Sequence, residues 1–182
     1  MPAAQASTFH LSKIGMTRGK TRRASTTKKP ITHLFFDWSG TLARKGSREA
    51  FLAADTRRKA LSTLYKDTLP TLKTLRGRGY TMGIISNTSV NPAAFKRGLR
   101  KAGLALYFKG PVVTNTRSLC RKPCPAIFKA ALSRAGLRDP AQALMVGNKY
   151  AKDIVGARRV GMRAYQRTRR SGGFSGLAQL RD

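Results

Sequence analysis

From residue 31 onward the chain alternates short apolar runs with longer segments of helical pattern, and this alternation leaves few folds open. Residues 31–36, 80–85 and 143–146 are brief apolar stretches, read as buried strands, and 163–166 close the series. Residues 107–114 hold a further strand, weakened by Gly110-Pro111. Between them, 48–66 carry Phe51, Leu52, Ala60, Leu61, Leu64 and Tyr65, which suits one or two short helices. Helices are also predicted over 68–78, with Pro70 near the start and Gly79 after the end, over 92–102 closed by Gly103, over 125–135 closed by Gly136, and over 153–160 ending at Gly161. Strands separated by helices pair in parallel and need cover on both faces. The expectation is an α/β fold: a three-layer, Rossmann-like parallel sheet with helices on both faces. At 182 residues the chain is one folded domain, read as 31–166 between a basic arm at 1–30 and a basic Gly/Ser-rich tail at 167–182. No apolar run approaches the ~18 residues of a membrane span.

Chemistry-bearing residues follow the predicted strands, where open α/β sheets bind ligands. They are Asp37 in FFDWSGTL, Ser86 in GIISNTS, Lys122 in CRKPCPAIF, and Asn148 with Asp153 in MVGNKYAKDIVGARRVGM. Together and in this order they resemble the haloacid dehalogenase superfamily of phosphotransferases, over roughly 31–166. The resemblance implies that Asp37 is the nucleophile that takes up a phosphoryl group and also binds magnesium. It implies that Ser86 holds that group, that Lys122 neutralises charge between nucleophile and phosphate, and that Asn148 and Asp153 complete the metal site.

Two positions depart from the family pattern. Position 39, normally the aspartate that protonates the leaving group and then activates water, is Ser39. Its hydroxyl does neither well, and general acid–base help is worth about 10²–10⁴-fold. Ion-pumping relatives with threonine there, and phosphonate-cleaving relatives with alanine, keep their chemistry. Asn148 stands where a metal-binding aspartate is usual, with Lys149 beside it. The bland alternative is that Asp37 only pairs with Lys122 and caps a strand end. The stretch between Leu42 and the helix near Thr68 is too short for a cap domain, so an open pocket is expected.

Charge is the outlier: 37 Lys and Arg against 7 Asp and Glu, a formal net charge of +30. Such an excess points to a polyanion, nucleic acid first. The arm, free of acids, contributes Lys13, Arg18, Lys20, Arg22, Arg23, Lys28 and Lys29; the domain and tail add Arg158, Arg159, Arg167, Arg169 and Arg170. No finger or RNA-recognition signature appears, so phosphate contacts are expected in place of base readout. The acid-free Ser- and Arg-rich start also suits a transit peptide. These features compose the leading expectation: a ribosomal protein, mitochondrial in preference to cytoplasmic or nuclear, on a catalytically impaired scaffold. Its partners would be ribosomal RNA and neighbouring ribosomal proteins, with no small-molecule substrate and no cofactor beyond magnesium at the residual site. The alternative is a magnesium-dependent phosphatase with Asp37 as nucleophile, acting on nucleic acid or another phosphorylated macromolecule. Cys120 and Cys124, spaced C-x3-C, are expected to be reduced thiols, zinc requiring ligands from a partner.

Overall fold

The computed structural model describes residues 29–116 and 119–168, together with Phe174, Gly176 and Leu177. Five strands form one parallel sheet: β1 (His33–Phe36), β2 (Thr81–Ser86), β3 (Val112–Thr114), β4 (Ala143–Gly147) and β5 (Arg163–Gln166). Their order is β3-β2-β1-β4-β5, so β1 is central, with Phe36 opposite Ile84 on one side and Val146 on the other. The chain winds outward from β1 to β3 and then returns across β1 to β4. That reversal opens a crevice beyond the carboxyl ends of β1 and β4, the position where sheets of this kind bind ligands.

Alternation along the strands sorts the core into two layers. Leu34 and Phe36 face one cluster with Met82 and Ile84, covered by α1 (Arg48–Ala53), α2 (Arg57–Ser62), α3 (Thr68–Gly77) and α4 (Pro92–Lys101). Phe35 faces the other, with Ile85, Val113 and Met145, covered by α5 (Pro125–Arg134) and α6 (Val155–Arg158). Both faces are buried, which is why the strands read as nearly continuous apolar runs. The helix starts obey local chemistry. The Asn91 side chain accepts the Ala93 N–H at 2.8 Å, and Pro92 and Pro125 open α4 and α5, where no backbone donor is needed.

Three local outcomes differ from the sequence reading. The strand expected over 107–114 is confined to β3. The Gly110 N–H donates to Met82 O at 2.8 Å and Ile84 N–H to Pro111 O at 2.9 Å, so the chain joins the sheet from Gly110 onward and continues into β3. The last helix is preceded by a π-helical turn, Tyr150–Ile154. In the segment read as a basic Gly/Ser-rich tail, Phe174 and Leu177 are buried in the first core layer. Two six-residue helices occupy the space after β1, and they pack into the core.

Trp38 anchors the loop that follows β1. It is fully buried, 4.5 Å from the Phe51 ring and 5.1 Å from Phe95, each contact worth about 0.5–1.5 kcal/mol beyond its area. The neighbouring Asp37 is thereby fixed at the strand end, its N–H still bonded to Val146 O at 2.9 Å.

Candidate active site

The crevice holds a cavity of about 300 Å³ lined by Asp37, Ser39, Ser86, Asn87, Lys122 and Asp153, with a cationic rim. Sequence-distant residues meet here because each lies just beyond a parallel strand or in the loop entering α5. A larger cavity, about 550 Å³, lies beside His33 and Thr81 at the opposite ends of the strands and contains none of the singled-out residues.

Lys122 is the centre of the site. Its ammonium donates to Asp37 Oδ1 at 2.8 Å and to Ile85 O at 2.8 Å, and pairs with Asp153 Oδ1 at 2.7 Å. Three donors thus meet three acceptors. Lys122, Asp37 and Asp153 are all buried. Asn87 clamps the lysine backbone: Lys122 N–H donates to Asn87 Oδ1 at 2.7 Å and Asn87 Nδ2 donates to Lys122 O at 3.0 Å. Burial pushes the Asp37 carboxyl above the usual carboxylate range; the Lys122 ammonium pulls it down, while the Asp153 charge adds to the rise. Burial also works to lower the Lys122 ammonium, but the two facing carboxylates outweigh it and hold the group above its ordinary value. The lysine is therefore charged at neutral pH.

The remaining carboxylate oxygens differ. Asp153 Oδ2 accepts the Lys149 N–H at 2.9 Å, inside the π-helical turn. Asp37 Oδ2 accepts from the Thr41 hydroxyl at 3.3 Å. That hydroxyl also lies 3.4 Å from Asn148 Oδ1, and its one proton serves one acceptor at a time. Ser86 is buried at the end of β2.

Two glycines make this packing possible. Gly40 has φ +87°, and a Cβ there would lie 2.4 Å from Asn148 Nδ2. At Gly147 a Cβ would lie 2.4 Å from Asp153 Cγ. Gly147→Ala is therefore expected to push Asp153 off Lys122 and cost about 1–3 kcal/mol, read as a lowered midpoint in chemical denaturation. An unchanged midpoint would mean that Asp153 moves freely.

The structure gathers Asp37, Ser39, Ser86, Lys122 and Asp153 as the sequence suggests. It places Asn148 on the adjoining cavity, about 370 Å³, with Gly40, Lys45, Tyr65 and Arg167. The sequence reading missed Thr41, Asn87 and the rim residues Lys45, Arg48, Arg121 and Lys152, and noted Lys149 only as a neighbour of Asn148. Thr41 and Asn87 could have been noticed, since one lies within FFDWSGTL and the other follows Ser86.

Three expectations need correction. Cys120 and Cys124 are not free thiols and leave no zinc ligands: they form a disulfide. The turn that sends Cys124 N–H to Arg121 O at 3.0 Å brings their Cα atoms to 6.0 Å, so the bridge closes around Lys122. Of the expected RNA contacts, Lys29 pairs with Asp139 at 3.3 Å. Arg167 donates to both Asp67 oxygens at 2.9 Å and lies over the Tyr65 and Phe174 rings at 4.3 and 4.5 Å. It is a structural link between the last strand and the body. Arg158 and Arg159 are exposed. Lys13, Arg18, Lys20, Arg22, Arg23, Lys28, Arg169 and Arg170 lie outside the described residues.

Among the described residues no cluster of three or more His, Cys, Asp or Glu gathers around a point. Asp37 and Asp153 line the cavity, and Asn148 Oδ1 adjoins it through the Thr41 hydroxyl, 3.4 Å from Asn148 and 3.3 Å from Asp37 Oδ2; these oxygen donors suit magnesium, which is commonly held by one or two carboxylates, with water and substrate phosphate filling the other positions.

A family profile described as haloacid dehalogenase-like hydrolase matches residues 27–161. A glyceraldehyde 3-phosphate phosphatase of Methanothermobacter thermautotrophicus is 37% identical over 105 residues, covering 58% of this chain and 45% of the relative. The pyrophosphatase PpaX of Bacillus pumilus is 37% identical over 101 residues, covering 56% and 44%. The chain thus spans less than half the length of these curated relatives. A crystal structure of a phosphatase of this superfamily from Thermococcus onnurineus superposes with a TM-score of 0.57 at 27% identity, covering 76% of this chain and 87% of that one. These findings overturn the leading expectation of a ribosomal, RNA-binding protein with ribosomal RNA and ribosomal proteins as partners and no small-molecule substrate. The two relatives described above are named as a phosphatase and a pyrophosphatase, and nothing in the comparisons points to a ribosome. Net charge alone misled, because it counts cations without showing which of them already have partners, as Lys29 and Arg167 do.

Proposed function

Since the chain belongs to the haloacid dehalogenase-like hydrolase family, we propose that it hydrolyses small phosphate compounds through Asp37. The observation that carries this reading is the buried Asp37–Lys122–Asp153 triad at the mouth of a 300 Å³ cavity. Strand β1 and Trp38 hold Asp37 in place, which pre-pays the orientation that a nucleophile needs. A carboxylate oxygen of Asp37 bonds to phosphorus as the bond to the leaving oxygen breaks. Water then attacks the phosphorus of the aspartyl-phosphate, inorganic phosphate is released, and the carboxylate returns. Lys122 stays charged throughout and offsets the negative charge gathered between nucleophile and phosphoryl group. The Ser86 hydroxyl, at the end of β2, donates to a phosphoryl oxygen. Asp37, Asp153 and Asn148 would hold magnesium, which when bound spreads phosphoryl charge. The relatives named for glyceraldehyde 3-phosphate and for pyrophosphate support a small substrate in place of a macromolecular one.

The test is magnesium-dependent release of nitrophenol from p-nitrophenyl phosphate, with acid-quenched protein searched by mass spectrometry for a phosphoryl group on the peptide containing Asp37. Release together with that modification is expected. No release above a protein-free control defeats the reading.

A further inference from the structure

Two features of the cavity lie outside the chemistry of Asp37 and Lys122. Position 39 presents a hydroxyl, and the rim is crowded with cations. Lys45 and Arg48 arrive after β1, Arg121 precedes α5, and Lys149 and Lys152 follow β4, so positive charge lines the cavity from three sides. Lys45, Arg121, Lys149 and Lys152 are exposed, and no ion pair engages their side chains among the described residues. Arg48 reaches Glu49 through Nη2, while its Nε is buried with no hydrogen-bond partner. The only acids on the lining, Asp37 and Asp153, are already tied to Lys122. The surplus suits an anion larger than the phosphoryl group that Asp37 and Lys122 handle.

The leaving group supplies the second constraint. An alkoxide is expelled with the help of an acid worth about 10²–10⁴-fold. Neither Ser39 nor a carboxylate held by Lys122 is such an acid. A phosphate whose second ionisation lies near about 6 needs no proton to depart at neutral pH. It leaves with more negative charge than an alcohol, and unpaired cations are what that charge requires.

We infer that the substrate is a small phosphoanhydride cleaved at its terminal phosphorus, with the cationic rim holding the phosphate that leaves. The inference rests on the phosphatase reading of Asp37 and adds the substrate class. A carboxylate oxygen of Asp37 forms a bond to the terminal phosphorus while the bridging P–O bond breaks. The electron pair stays on the bridging oxygen, which departs as part of a phosphate anion. Water then attacks the aspartyl-phosphate, the P–O bond to Asp37 breaks, and the water's proton passes to the departing phosphate or to solvent. No carboxylate at position 39 activates that water, so the second step is slower than the first and the phosphoenzyme accumulates. A cavity of about 300 Å³ lies at the lower end of small-molecule sites, which suits a molecule the size of diphosphate.

The experiment compares inorganic diphosphate, p-nitrophenyl phosphate and glycerol 3-phosphate with the full chain and magnesium. Diphosphate is expected to exceed glycerol 3-phosphate in kcat/KM by about 10²-fold or more. Rapid mixing is expected to show a burst of leaving phosphate close to one per protein molecule. Lys45→Ala/Lys152→Ala, at exposed positions where the fold tolerates change, is expected to lower kcat/KM for diphosphate about tenfold more than for p-nitrophenyl phosphate. Ser39→Asp is expected to raise glycerol 3-phosphate turnover and abolish the burst. Equal kcat/KM for diphosphate and glycerol 3-phosphate overturns the substrate class. A rim variant that slows both aryl phosphate and diphosphate alike overturns the rim's role. Failure of all three substrates overturns the phosphatase reading itself. Diphosphate binding to Asp37→Asn protein, measured by calorimetry, then tests the rim separately: binding unweakened by the double substitution overturns it.

Discussion

Asp37→Asn is expected to lower phosphate release by at least about 10³-fold while leaving the fold intact. The amide has nearly the same shape and keeps an oxygen for the Lys122 ammonium and a place beside Thr41, but its neutral oxygen is not a nucleophile. The fold tolerates the change because Asp37 is a costly charge. Burial raises its carboxyl pKa despite the ammonium at 2.8 Å, so removing the charge relieves desolvation as well as losing attraction. Lys122 keeps Asp153 at 2.7 Å. Thermal melts of the two proteins should agree within a few degrees while turnover collapses. Retained turnover would move the nucleophile elsewhere, and loss of both turnover and melting temperature would reduce Asp37 to a structural role.

Lys122→Met is expected to do the opposite and cost about 3–5 kcal/mol of stability. The substitution preserves an apolar stem but removes the cation between two buried carboxylates and leaves Ile85 O without the donor that Nζ supplied. For a chain of this length such a loss lowers the melting temperature by roughly 6–20 °C. The pH dependence has a definite sign. In the wild type the Lys122 pKa is raised above 10.5, so its contribution is complete below that value and lost as pH rises through the folded pKa. In the variant Asp37 loses the ammonium that pulls its carboxyl down, so burial and the neighbouring Asp153 charge hold it still further above the usual carboxylate range. The variant's deficit is therefore smallest in acid, where Asp37 is protonated, and grows as pH rises through its raised folded pKa. Denaturant midpoints at pH 5 and 7 measure this. A deficit below about 1 kcal/mol at pH 7 would mean that solvent, and not the ammonium, satisfies Asp37 and Asp153.

The site was legible wherever a residue's place follows from its distance to a strand end. Asp37, Ser86, Lys122 and Asp153 follow or flank strands that periodicity marks, and parallel pairing with both faces covered forces their ends together. Asn148 shows the limit of such reasoning. It directly follows β4, yet its side chain lines the adjoining cavity beside Gly40, because a side chain's direction depends on the turn it occupies.

The sequence by itself determined the alternation of strands and helices, the order of the chemical residues along them, and the loss of a carboxyl at position 39, since these depend on neighbours a few positions apart. Only the tertiary structure decided which cations are spent and which are free. Arg167 is held by Asp67 and two aromatic rings, whereas Lys45 and Lys152 line the cavity with no ion pair among the described residues. It also decided that Cys120 and Cys124 close a loop around Lys122, and that Phe174 and Leu177 return to the core. Ion pairs, disulfides and burial depend on distances between segments far apart in the chain, and such distances exist only once it has folded.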